Sequence, residues 1–164
     1  MESTSPEAQA ELARRHKAAA TTVLGLLVAT ILLSVLAFLA KPYFTENPNR
    51  VIEGAVRIVI LILGLGAVVW RRTKFQTMRL QDIAGLAGVS GLLKTLEKTT
   101  IQLAVLGALI ASVGFVTTLM TGNDWYTYWA GAIAVIVFVY CYPTKQSWLR
   151  AVYRFTDKSA NETV

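Results

Sequence analysis

Long uncharged runs, rather than the polar-apolar alternation of half-buried soluble elements, organise this chain. From Ala18 to Ala40 there are 23 residues without a charge, dominated by Leu, Val, Ala and Ile. A spanning helix needs about 20 apolar residues, whereas the core of a signal peptide has only about 7 to 15. The run therefore predicts an uncleaved first membrane-spanning helix over 18–40, with no convincing small-x-small cleavage site before Lys41. Lys41-Pro42 stops it, and the segment to Arg50, with Pro48 and two asparagines, reads as a short loop.

The pattern predicts a second span over 51–70. Its last 13 residues are uncharged, and it closes on Trp70-Arg71-Arg72, an aromatic anchor followed by positive charge. An uncharged run over 100–120 gives the third span and ends at the turn Thr121-Gly122-Asn123-Asp124. The fourth, 126–142, is edged by Trp125 and Trp129 at one end and by Tyr140, Tyr142 and Trp148 at the other, the distribution expected of interface anchors.

Two further segments carry a helical period but are too short to span. In the 71–99 connection, Ile83, Leu86, Val89, Leu92, Leu93 and Leu96 fall on one broad face, and Gly85, Gly88 and Gly91 recur every three residues. Residues 83–93 are expected to form an amphipathic surface helix or a partly re-entrant segment. They are not a phosphate-binding loop, because Leu93 stands where such a loop needs glycine before Lys94. After Pro143, Trp148, Leu149, Val152 and Phe155 oppose Arg150 and Arg154, which predicts a C-terminal helix lying on an anionic leaflet.

The fold class expected is all-α: a membrane-embedded four-helix bundle over 18–142, between an N-terminal tail (1–17) and a C-terminal amphipathic segment and tail (143–164). Composition agrees, since 54% of the 164 residues are hydrophobic and only 16% charged, against about a quarter charged in ordinary globular chains. The net charge of +6 raises nucleic acid as a partner. Its placement answers that question: alternate sides of the four spans carry 13 and 2 of the Lys and Arg residues, which is a topogenic bias in itself. The bias puts both termini and the 71–99 connection in the cytoplasm, and the bilayer, not nucleic acid, is the expected partner.

Little in the sequence assembles into reactive chemistry. His16 is the only histidine and Cys141 the only cysteine, so no multi-histidine metal centre, paired-histidine haem ligation or internal disulfide can form within one chain. No catalytic residue, cofactor or metal is expected. Glu53 and Arg57 are the only charged residues inside a predicted span, four apart with Glu first, the favourable order for an ion pair on a helix. Such a pair is either a proton or cation site or an interfacial pair in which Arg57 reaches outward. Small residues form rows in the third span, Ala104, Ala108 and Ser112 in one and Gly107 and Ala111 in another, with Gly114 beside them. Gly64 and Gly66, and Ala130 and Ala134, offer partner surfaces for close helix packing.

From Thr100 to Trp148, the order of a small-residue helix, a Gly-Asn-Asp turn, an aromatic-flanked helix, Tyr-Pro and Trp resembles uncharacterised small four-helix bacterial membrane proteins. The resemblance implies a bacterial inner-membrane home and no particular activity. The third span also looks like a proteolipid ring subunit, but those carry a mid-membrane carboxylate that the third and fourth spans lack. A small accessory or structural subunit acting by helix packing, with itself or a larger membrane complex, is the leading expectation. The alternative is a small dimeric transporter or channel using Glu53.

Overall fold

The computed structural model describes residues 6–40, 43, 50–74, 77–150 and 152. Among these, four long helices follow one another: α1 (Pro6–Ala40), α2 (Arg50–Lys74), α3 (Thr77–Thr121) and α4 (Trp125–Cys141). A short helical segment, α5, follows over 145–150. Three helical stretches, Gln9–Ala40, Val51–Thr73 and Gly88–Thr121, are long and apolar enough to cross a membrane. The apolar α4 has 17 residues, about 25 Å at 1.5 Å per residue.

α3 and α4 form the central pair, with α1 and α2 both packed against them and, among the described residues, not against each other. The register is that of a left-handed bundle. α1 buries Leu12, Ala19, Val23, Thr30 and Ala37, steps of seven and four, and α2 turns Val56, Ile60, Leu63 and Ala67 inward at alternating steps of four and three. A 3.5-residue repeat of inward positions keeps helices in contact at a shallow crossing angle. The outward faces stay apolar: Leu32, Leu36 and Leu39 of α1 and Ile58, Ile62 and Leu65 of α2 are all exposed.

The turn between α3 and α4 is built by its own residues. Gly122 adopts a positive φ of 73°, and its N–H bonds to the Thr118 carbonyl at 2.8 Å, closing α3 with a left-handed cap. The Asn123 side-chain oxygen then accepts the N–H of Trp125 at 3.1 Å and starts α4. At its other end α4 stops at Cys141, because the residue before Pro143 is driven out of helical geometry.

Three expectations change. Residues 6–17 are not a tail: they continue α1, and Leu12 is buried. Residues 83–93 do not form one amphipathic helix: Gly88, at φ 65° and ψ −170°, breaks α3 into two helices, and the residues after it continue into the third span. Leu92, Leu93 and Leu96 beyond the break are buried, while the side chains of Ile83 and Leu86 lie outside the described residues. The C-terminal segment does not lie flat against a surface, for Trp148 and Val152 are buried with Leu12, Ala19 and those leucines. Arg154 and Phe155 lie outside the described residues. Together these pieces make a second, smaller core, the head, at the end of the bundle where α1 begins.

Candidate functional site

The α3–α4 seam shows why small residues recur in this part of the chain. Ala104, Ala130 and Ala134 have no exposure, and Ala111, Gly107 and Gly114 are buried beside them. A β-carbon on Gly114 would meet the Ala130 β-carbon at 2.2 Å and the Tyr126 carbonyl oxygen at 2.7 Å, so glycine is required for the two backbones to touch. Gly107 instead makes room for Phe138, whose ring would lie 3.3 Å from an added β-carbon. α2 joins through Gly64 beneath Ile133, and α1 through Ser34 against Gly131. In lipid, helices associate by such dispersion contacts rather than by the hydrophobic effect.

Not every small residue packs. Ser112 is exposed and bonds back to the Ala108 carbonyl, and Gly66 faces open space, whereas Ala108 is half-buried and packs against the core. The seam therefore follows the row through Ala104, Gly107, Ala111 and Gly114 rather than the row through Ser112.

Polar groups inside the bundle are threonines with their bonds made. Thr118, fully buried, donates to the Asn123 carbonyl at 3.0 Å and accepts both the Thr127 hydroxyl at 2.7 Å and the Thr127 N–H at 3.2 Å. Thr30, Thr100, Thr117 and Thr121 bond to carbonyls four residues earlier in their own helices. Among the described residues, no Asp, Glu, Lys, Arg or His is buried and no buried side-chain polar atom lacks a partner.

Arg57 does not pair with Glu53. The ion pairs among the described residues belong to Arg15, and Arg57 reaches across to α4, where its Nη2 donates to the Tyr126 hydroxyl at 3.1 Å. Its guanidinium also lies over the Tyr126 ring, 5.7 Å from the centroid. Fourteen residues further along each helix, Arg71 lies 4.2 Å from the Tyr140 ring centroid. α2 and α4 are thus parallel, and two arginine-tyrosine contacts two heptads apart fix their register. Beside Arg57 a groove of about 440 Å³ opens between the two helices, lined by Ile60, Leu61, Trp125, Tyr126, Trp129 and Ile133. Glu53 is half-buried one turn away along α2.

The remaining aromatic positions divide. Trp70, Trp125, Trp129, Tyr140 and Tyr142 are exposed, and Trp125 and Trp129 meet edge to face. Trp148 was expected among them but lies in the head, edge-on to His16 at 5.7 Å. His16 Nε2 donates to the Pro143 carbonyl at 2.8 Å, tying α1 to the chain just before α5. Arg72 is exposed at the end of α2.

Ion pairing closes the head. Arg15 donates to Glu11 through Nε and to Glu97 of α3 through Nη1, both at 2.9 Å, and the Ser90 hydroxyl donates to Glu11 at 2.8 Å. The Ser90 hydrogen bond, and after it the Arg15 guanidinium, hold the Glu11 carboxyl below its ordinary value, while the two carboxylates push Arg15 up. Sequence spacing reveals the Glu11–Arg15 contact, four apart on one helix; no local signal announces Glu97 or Ser90.

No protein family, curated protein or solved structure matches this chain.

Proposed function

We propose that this chain is a four-span integral membrane protein whose α1–α4 cross the bilayer, with both termini and the head in the cytoplasm of a bacterial cell. It serves as a small accessory or structural subunit of the inner membrane, holding itself or a larger complex by helix packing. The observation that carries this reading is the packed interior: backbones in contact at Gly114 and hydrogen-bonded threonines, with no Asp, Glu, Lys, Arg or His buried among the described residues. Apolar outward faces on α1 and α2 supply the surface for lipid or a neighbouring helix. The positive-inside bias supports the orientation. Crosslinking in native membranes followed by purification in mild detergent tests it: the reading predicts a defined oligomer or a stoichiometric partner, and a monodisperse monomer without crosslinked neighbours contradicts it.

A second reading, a small dimeric transporter or channel, rests on Glu53, half-buried and without an ion pair to Arg57. Proton-coupled flux in proteoliposomes that is abolished by Glu53→Gln supports it; flux that survives the substitution removes Glu53 from the mechanism.

A further inference from the structure

Two opposite charges four residues apart on one helix ordinarily satisfy each other. Here they do not: Arg57 turns sideways into the mouth of the α2–α4 groove, and Glu53, nearer the start of α2, has no ion-pair partner among the described residues. Below Arg57 the groove is walled by Ile60, Leu61 and Ile133, and Trp125 and Trp129 flank it. From Glu53 inward, the order is negative charge, positive charge, apolar trough. One turn of helix, about 6 Å, separates the first two.

We propose that this groove binds a phospholipid with an aminated headgroup, of the phosphatidylethanolamine class. The phosphate meets the Arg57 guanidinium, the primary ammonium extends outward to the Glu53 carboxylate, and the first part of an acyl chain lies along Ile60, Leu61 and Ile133. A phospholipid in a leaflet presents its groups in that order, ammonium outermost, phosphate next and hydrocarbon deepest. A purely anionic headgroup satisfies Arg57 but places no cation beside Glu53. A trimethylated amine has no N–H to donate to it. Tyr126 contributes by position: its hydroxyl and ring hold the guanidinium at the mouth, leaving the other guanidinium N–H groups for phosphate oxygens. The proposal rests on the membrane reading above.

The two tryptophans supply the readout. In the full chain carrying Trp70→Phe and Trp148→Phe, Trp125 and Trp129 are the remaining tryptophans. Reconstitute it in vesicles of non-brominated lipid doped with phosphatidylethanolamine, phosphatidylglycerol or phosphatidylcholine brominated near the headgroup end of the acyl chains. The ethanolamine lipid is expected to quench at about two- to fivefold lower mole fraction than the other two, as befits partly exposed charge contacts. Arg57→Gln should abolish the preference. Glu53→Gln should remove the advantage over phosphatidylglycerol and leave phosphate binding in place. Equal quenching by all three lipids, stronger quenching by phosphatidylglycerol, or a preference that survives Arg57→Gln overturns the site while leaving the membrane reading intact. Absence of quenching by any lipid overturns both.

Discussion

Gly114 and Ala130 meet so closely that a β-carbon on Gly114 would lie 2.2 Å from that of Ala130. Neither atom belongs to a flexible side chain, so the contact fixes the distance between the α3 and α4 backbones. Relief requires the two central helices to separate, and α1 and α2 both rest on that pair.

Gly114→Ala is therefore expected to destabilise the bundle by about 1–3 kcal/mol, the usual cost of overpacking. Gly66→Ala makes the same chemical change where nothing lies within 4 Å. It should leave stability unchanged or raise it by up to about 1 kcal/mol through helix propensity. Unfolding in a titration from mild detergent into dodecyl sulfate measures both, and equal effects at the two glycines would contradict the packing argument.

Thr118 collects three hydrogen bonds at the start of α4. Thr118→Val keeps the shape and deletes the acceptor for the buried Thr127 N–H, at an expected cost of about 1–2 kcal/mol. Thr118→Ser restores most of it. The same titration separates the variants; if valine were tolerated as well as serine, the turn would be held by Gly122 and Asn123 without Thr118.

The head responds to acid through Glu11. Its carboxyl is held low in the folded head, so the unfolded state binds a proton first as pH falls. The contribution is fully present above the ordinary value of 4.5 and is lost as pH drops below that and through the lower folded value. Amide exchange along 9–19 should stay slow from neutral pH to about 4.5 and quicken below it, after correction for intrinsic rates. Glu11→Gln should flatten that dependence; an unchanged profile would assign the acid sensitivity elsewhere.

Trp148 joins α5 to the head while the α3–α4 seam lies in a separate core. Trp148→Ala should cost the head about 3–5 kcal/mol. Trypsin should then cut at Lys145 and Arg150 while the helices of the bundle persist in circular dichroism. Loss of the whole helical signal would show that head and bundle unfold as one unit.

Three of the helices were legible because an uncharged run of 20 or more residues has few other uses, the second rested on 13 uncharged residues and its Trp70-Arg71-Arg72 end, and the Gly-Asn-Asp turn marks its own place. The registers were harder to read. In α1 nearly every position is apolar, so the heptad through Val23, Thr30 and Ala37 is hidden among equally hydrophobic neighbours. Periodicity did show the faces bearing Leu92, Leu93 and Trp148, but an amphipathic face fits lipid or protein equally well, and here it meets α1. Arg57 illustrates the same limit. Glu53 is its nearest opposite charge along the chain, yet its partner is Tyr126, 69 residues away. Of the small residues, Gly107 and Gly114 are buried and Ser112 is exposed, because rotation about the helix axis decides which row faces inward.

The central claim, that α1–α4 cross a bilayer with both termini on the positive side, is tested most directly by labelling intact bacterial cells with a membrane-impermeant maleimide. In a Cys141→Ala background, Tyr43→Cys and Asn123→Cys should react from outside, while Gln9→Cys and Lys94→Cys should react only after permeabilisation. Labelling of Gln9→Cys or Lys94→Cys in intact cells, or protection of Asn123→Cys alone, would contradict the four-span arrangement.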